Sequence, residues 1–353
     1  VTLVHTRRTA SPRVSAANRT EWAAVAAGDP DAVAEQTPEW VDAICEGFGY
    51  TDRSRMYQFD DGRRFVLPLV ARRGVPGRLA SLSSFPNAWG VGGPVGAELD
   101  AAAVDHIVAD LRTLGVARVS IRVEATRDAA WRHLVDDPGI IVIPRNTHVA
   151  DLTPGVDAYF GTLNKTTRRG IRRTQRDEAD IRVGVGGELV EHHYELYLRS
   201  LERWAGRQHE PVWMARARGM RRDPIEKLRA MGRNLGDRFC VVAGFVDGQP
   251  AASVIILLGP TVRDTRGAVD PELAGRTGIN DGVQWRALEL AMEYGASRYN
   301  MGESGSSAGI SAFKERFGAV PVTSGEYRIE RLPLTAADRA ARAAVKKLIR
   351  FQD

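Results

Sequence analysis

Arg298-Tyr-Asn-Met-Gly-Glu-Ser304, followed by Ser311-Ala-Phe-Lys-Glu-Arg-Phe-Gly318, reads as a short strand, a loop and a helical turn that carries Lys314 in a lysine-poor chain. Gly302, Gly305 and Gly309, with Ser304, Ser306 and Ser307, make a loop able to bring backbone N–H groups close to a ligand. Glycine tolerates positive φ and has no Cβ to obstruct the approach. Phe313 and Phe317 are four apart, share a helical face and pin the turn of Lys314 to a core. An ordinary amphipathic helix with a solvated lysine fits the same local pattern.

Upstream, the helical segment Gln284 to Tyr294 ends at Gly295 and leads into Arg298-Tyr-Asn-Met301. The same order occurs earlier, where Ala102 to Leu114 ends at Gly115 and leads into Arg118-Val-Ser-Ile-Arg-Val123, an offset of 180 between Arg118 and Arg298. Before each unit an Asp-Gly turn precedes an apolar strand: Phe59-Asp-Asp-Gly62 before Phe65 to Val70, and Phe245-Val-Asp-Gly248 before Ala252 to Leu258. Such turns and glycine caps are common, so chance recurrence stays open, but a fixed offset marks a duplicated unit. The fold class expected is α/β (α+β): two tandem domains, each a mixed sheet flanked by helices. Residues 20–147 form the first and 148–332 the second, joined at Val142-Ile-Pro-Arg-Asn-Thr-His148, which reads as a turn or linker. Residues 1–19, with Arg7, Arg8, Arg13 and Arg19 and no apolar stretch, read as a disordered leader. Residues 333–353 hold an amphipathic helix, Thr335 to Phe351, expected to pack back on the first domain.

With 353 residues, 43% hydrophobic and 26% charged, the chain has the composition of a soluble protein of two domains. The longest apolar run, Ala251 to Gly259, is too short to span a bilayer, so no membrane insertion is expected and localisation defaults to the cytoplasm. Cys45 and Cys240 sit far apart in apolar stretches and read as reduced core residues. Seven scattered histidines give no metal-ligand spacing, so no metal is expected. A net charge of +5 favours anionic partners without demanding one.

Lys165, Arg168, Arg169, Arg172, Arg173 and Arg176 follow the spacing of one helical face, with Tyr159, Phe160, Leu163 and Ile171 as apolar anchors elsewhere. Like charges in a row repel, so the face fits contact with phosphates of RNA or of a substrate. A solvated face compensated by Asp177, Glu178 and Asp180 fits it as well. Arg216, Arg218, Arg221 and Arg222 lie beside Trp204 and Trp213, a mixture suited to single-stranded RNA, although buried tryptophan is the commoner role.

Thr37-Pro-Glu-Trp40, Ser84-Phe-Pro with Gly92-Gly93, Leu163-Asn-Lys-Thr-Thr-Arg-Arg-Gly-Ile-Arg-Arg173, Leu196 to Trp204 and Phe313-Lys-Glu-Arg-Phe-Gly318 occur in that order. Together, over about residues 20–332, they resemble the FemABX-type branch of the GNAT superfamily, the tandem-GNAT acyltransferases. The resemblance implies two GNAT-like domains around a cleft and an aminoacyl-tRNA donor. The acceptor it implies is an amine on a cell-wall precursor, a peptide or an amino-sugar antibiotic, the last pointing to antibiotic biosynthesis. Phe313 and Lys314 match the family's Phe-Lys pair, whose lysine stabilises the oxyanion at the reacting ester, an effect worth about 3 kcal/mol in a dry site. The chain lacks the long heptad insertion of the peptidoglycan enzymes, which weighs against a cell-wall role.

Ordinary GNAT enzymes hold the pyrophosphate of coenzyme A on a Gln/Arg-x-x-Gly-x-Gly/Ala loop at a helix N-terminus. Arg276-Thr-Gly-Ile-Asn-Asp-Gly282 has the wrong glycine spacing and places Asp281 where phosphate would approach, and Gly92-Gly-Pro-Val-Gly96 lacks the leading Arg/Gln. The expectation is therefore an N-acyltransferase with no bound cofactor, using aminoacyl-tRNA as co-substrate and a small-molecule or peptide amine as acceptor, and no DNA. An acyl-CoA-dependent N-acetyltransferase and a non-catalytic RNA-binding relative are the alternatives. Lys314 and Phe313 are the expected catalytic pair, with Glu303 assisting proton transfer. Trp40, Arg203, Trp204, Tyr299 and Ser304 are the expected substrate contacts, and Lys165, Arg168, Arg169, Arg172, Arg173 and Arg176 the phosphate contacts.

Overall fold

The computed structural model describes residues 11–207, 210–305 and 307–348. The duplicated pattern becomes two strand–helix–strand units. Ser81–Ser84, the helix Ala101–Thr113 and Arg118–Arg122 form the first, and Thr261–Val269, the helix Ile279–Glu293 and Arg298–Glu303 the second; the two strands of each unit run parallel. Gly115 (φ 68°) and Gly295 (φ 85°) stop the helices in the left-handed region, which side chains avoid. Phe239–Val246 and Gln249–Leu257 pair across Asp247 (φ 51°) and Gly248 (φ 75°), the two positive φ values of a two-residue hairpin turn. The earlier hairpin, Arg55–Gln58 with Arg64–Leu67, leaves the main sheet and joins Arg13–Ala16 in a separate three-stranded sheet.

Among the described residues the main sheet has eleven strands. Their order is Tyr50–Asp52, Val70–Arg72, Ser81–Ser84, Arg118–Arg122, Val320–Glu330, Ile141–Asp151, Arg298–Glu303, Thr261–Val269, Gln249–Leu257, Phe239–Val246 and Asp180–Val185. The centre carries a reciprocal exchange. Ile141–Asp151 follows Arg118–Arg122 in the chain yet pairs with Arg298–Glu303, while Val320–Glu330 follows Arg298–Glu303 yet pairs with Arg118–Arg122. The two lent strands pair with each other along the seam.

This topology corrects two expectations. Val142 to His148 is not a linker but the body of a strand, so the boundary at 147/148 falls inside the sheet. Pro144 is accommodated because that stretch has a neighbour on one side only, Arg298–Glu303 joining from Thr147 onward. Residues 1–10 of the expected leader lie outside the described residues, but Arg13–Ala16 is a strand and the Asn18 side chain caps a helix, Arg19–Ala27, through Thr20 N at 3.0 Å and Glu21 N at 3.2 Å.

One core lies between the halves, joining Trp22, Trp40, Ile44 and Trp89 to Leu228, Met231, Phe239 and Ile255. Two others fill the individual units, and Cys240 is buried in that of the second. The C-terminal helix, Leu334–Leu348, reaches the first unit through Arg118 to Asp338 at 2.9 Å; Phe351 lies outside the described residues. No described helix is long and apolar enough to cross a membrane.

Candidate functional site

The parallel pair in the second unit runs only from Thr261 and Arg298 to Arg263 and Asn300. Beyond it Arg298–Glu303 keeps only the borrowed strand, Glu303 opposite Thr147 after a register shift, while Thr261–Val269 bulges along Gln249–Leu257. Asp264, Gly302 and Lys314 gather where the strands part. Gly302 (φ 70°) accepts this turn, and a Cβ on it would sit 3.2 Å from the Asp264 carbonyl oxygen.

Lys314 lies in the last turn of the helix Ala308–Arg316 and is buried. Its ammonium donates to the carbonyl oxygens of Gly302 at 2.8 Å and Glu303 at 3.0 Å, so one N–H remains for a ligand. Burial lowers its pKa to about 8, against the attraction of Asp264 and with Arg263 reinforcing the shift. Burial likewise raises the Asp264 carboxyl to about 7, opposed by Lys314 and Arg263. His148, 3% exposed, fastens the glycine-rich loop to this helix, bridging Ser304 Oγ at 3.2 Å and Ser311 Oγ at 3.0 Å.

Behind Lys314 a buried polar network joins the halves. Thr147 Oγ1 donates to Asn300 Oδ1 at 2.6 Å, and Asn300 Nδ2 to Glu124 Oε1 at 2.6 Å. Arg263 Nε donates to Glu35 Oε1 at 3.2 Å and its Nη1 lies 4.0 Å from Glu124 Oε1. Burial raises the Glu35 carboxyl, and its Oε2 has no partner. Sequence reasoning missed Asp264, Arg263, Glu124, Glu35 and Asn300, which lie far apart in the chain and match no motif.

The expected site residues divide. Lys314, Glu303 and Ser304 come together, although the exposed Glu303 carboxylate turns to Arg145 at 3.6 Å. Phe313 packs on Phe317 with ring centroids 5.1 Å apart. Two expected substrate contacts are corrected: Trp40 (1% exposed) bonds the Trp89 carbonyl within the core, and Tyr299 (0%) takes a hydrogen bond from Gln284 at 3.1 Å beneath Asp264. Neither has a surface left for substrate. Arg203 donates to the Val269 carbonyl at 3.0 Å, and Trp204, half-exposed, lines a separate cavity of about 180 Å³ with Arg218 and Arg222.

Lys165–Arg176 is a helix capped by Asn164, with Thr167, Ile171 and Thr174 buried and its cations outward. Gly170 lets it approach closely, since a Cβ there would meet Asp281 Oδ2 at 2.5 Å, and Arg316, two residues after Lys314, holds the same carboxylate. The basic face and the Lys314 helix thus belong to one block. Arg168 is tied to the Gly161 carbonyl at 2.9 Å and Arg173 to that of Arg276 at 2.7 Å, while Arg176 pairs with Asp177 at 2.8 Å. Among the described residues Lys165 and Arg169 have no carboxylate partner, and Arg172 stacks over Phe160 at 5.4 Å. In the second cluster Arg216 and Arg218 are paired with Glu202 and Glu210.

Neither candidate phosphate loop is free. In Gly92-Gly-Pro-Val-Gly96 the N–H groups of Gly92, Gly93, Val95 and Gly96 donate to Arg122 O, Ser84 Oγ, Val66 O and Asp29 Oδ2, and proline has none. At the helix Ile279–Glu293 the first turn carries Asp281, and Gly282 packs on the basic helix, 2.7 Å from a Cβ to Thr174 Oγ1.

Residues 162–315 match the family model Acetyltransf_6, described as an acetyltransferase (GNAT) domain. The crystal structure of FemX is similar at 13% identity and a TM-score of 0.57, covering 90% of this chain and 97% of that one. A conserved protein of unknown function from Bacteroides thetaiotaomicron is similar at 11% identity and a TM-score of 0.53, covering 91% and 100%. No curated protein matches the sequence.

Proposed function

On the premise that the chain carries a GNAT domain within a FemABX-like tandem fold, we propose that it is an N-acyltransferase joining an aminoacyl group from aminoacyl-tRNA to an amine. The observation that carries this reading is Lys314, a buried cation held at the opening of the parallel strands with one donor unspent. The acceptor is a small-molecule, peptide or amino-sugar amine, as in antibiotic biosynthesis. The amine attacks the ester carbonyl, the C–N bond forms, and Lys314 stabilises the oxyanion. Asp264 takes the amine proton; as the C–O bond breaks, the Lys314 ammonium protonates the departing 3′-oxygen.

These roles set the pH dependence. Asp264 works ionised and Lys314 works protonated, so kcat/KM rises through about pH 7 and falls above about pH 8. The two groups interact, so the limbs belong to the pair. A rate that stays flat over roughly pH 6–9 would remove both from the chemistry.

The donor preference rests on the occupied N–H groups of the Gly92–Gly96 loop, on Asp281 in the first turn of its helix, and on the cationic face beside Lys314. The match to an acetyltransferase domain favours acyl-CoA as the second reading. Purified protein offered a charged tRNA pool or acetyl-CoA, each with candidate amines, decides between them; turnover that survives ribonuclease rules out the RNA donor. Changing Lys165, Arg169 and Arg172 together to glutamine is expected to lower the salt slope of tRNA binding by about 2–3 units. An unchanged slope means the helix is not the RNA surface.

A further inference from the structure

Gly302-Glu303-Ser304-Gly305 carries the chain from the strand Arg298–Glu303 towards the helix Ala308–Arg316. Gly302 (φ 70°) and Gly305 (φ 55°) both occupy the left-handed region, which glycine enters without strain, and Ser304 between them is part-exposed. Its chain neighbour Glu303 lends the carbonyl that holds Lys314 at 3.0 Å, so Ser304 is one peptide unit from the ammonium.

His148, buried on the lent strand Ile141–Asp151, has Nδ1 3.2 Å from Ser304 Oγ and Nε2 3.0 Å from Ser311 Oγ. Ser311 and Glu315 are one helical turn apart, and the Ser311 hydroxyl donates to Glu315 Oε1 at 2.8 Å. That last bond fixes the direction of the others. A carboxylate only accepts, so Ser311 spends its single hydrogen there and accepts from His148 Nε2–H. Nδ1 of the neutral imidazole is then bare, and the Ser304 hydroxyl donates to it. Glu315 Oε1 also lies 3.5 Å from Nε2, where its charge stabilises the imidazolium once Nδ1 takes a proton. A bond that only fastened the loop would hold in either tautomer. Here the donor chain leaves the bare nitrogen on the serine, the order of nucleophile, base and orienting group in serine hydrolysis.

We propose that Ser304 is an acyl-accepting nucleophile and that the protein hydrolyses small carboxylic esters when no amine is bound, with His148 as the base and Ser311 and Glu315 as positioning residues. Ser304 Oγ attacks the ester carbonyl carbon, its proton passes to His148 Nδ1, and the spare N–H of Lys314 holds the oxyanion. As the bond to the leaving alcohol breaks, that oxygen takes the proton from Nδ1 and an acyl-serine remains. Water then attacks the acyl carbon and gives its proton to Nδ1. The proton returns to Ser304 Oγ as the second C–O bond breaks and the carboxylic acid leaves. The inference rests on the oxyanion role given to Lys314 above and needs neither tRNA nor amine.

The test uses two probes on the full chain, p-nitrophenyl acetate for turnover and an alkyl fluorophosphonate, whose serine adduct water does not remove, for labelling. The wild type is expected to turn over the ester and to carry the phosphonate on Ser304, located by peptide mass mapping. Ser304→Ala is expected to lose the label and to lower turnover at least about 100-fold. His148→Gln also loosens the loop, so Ser311→Ala, which leaves the histidine in place, separates chemistry from folding. It is expected to slow labelling at least about tenfold at an unchanged melting temperature, and Ser311→Thr, which keeps the hydroxyl, to restore the rate. Labelling of Ser304 in a protein that forms no amide from charged tRNA keeps this inference and removes the transfer reading. Amide formation without labelling of Ser304 does the reverse. A label carried by another residue, turnover unchanged in Ser304→Ala, or labelling unchanged in Ser311→Ala overturns the proposal.

Discussion

Lys314→Met is expected to lower kcat about 10²–10³-fold, the range seen when one donor to a developing oxyanion is removed. Methionine is unbranched and nearly as long, so the apolar path of the side chain survives while the charge does not. The ammonium at the opening is buried, cationic and left with a spare N–H. A charge used only in the transition state lowers kcat and kcat/KM together, whereas a substrate-binding role raises KM alone. The methionine also leaves the Gly302 and Glu303 carbonyls without their donor, so melting curves of both proteins separate loop damage from lost catalysis. A folded variant with kcat within about twofold of wild type overturns the role.

Arg263→Met is expected to cost about 3–5 kcal/mol of unfolding free energy, the penalty for stranding buried carboxylates by removing their cation. Arg263 lies between Glu35 and Glu124, both 0% exposed, and those acids come from the other half of the chain. Glu35→Gln is expected to be far milder, since burial already pushes the carboxyl towards its neutral form and one of its oxygens is unpaired. The double variant then recovers part of the loss, a coupling that denaturant titration of the four proteins measures directly. A loss below about 1 kcal/mol for Arg263→Met would mean that water replaces the arginine in the seam.

What the sequence disclosed follows from what local patterns encode. Gly115 and Gly295 announced the helix ends because their positive φ values are a local requirement, and Asp247-Gly248 announced its turn for the same reason. Lys314 was visible through its Phe-Lys-x-x-Phe setting. Strand partners were not visible, because alternation specifies a buried face but not a neighbour; hence Val142 to His148, within the strand Ile141–Asp151, read as a linker. Trp40 and Tyr299 look alike in sequence whether they face a ligand or a core, and their indole and phenol find internal partners here. Asp264 sits in the polar run Arg263-Asp-Thr-Arg266, and only its burial in the folded chain raises its pKa.

The lent strands also impose an order on synthesis. Arg118–Arg122 emerges from the ribosome with one edge unpaired, and its partner, Val320–Glu330, follows roughly 200 residues later, on the order of 10–40 s at typical elongation rates. An open edge for that long invites pairing with another nascent chain. Arg118 and Arg122 place like charges along it, so a second copy approaching in parallel register meets repulsion at both positions. These arginines thus act as gatekeepers, keeping the edge single until its own C-terminal strand arrives.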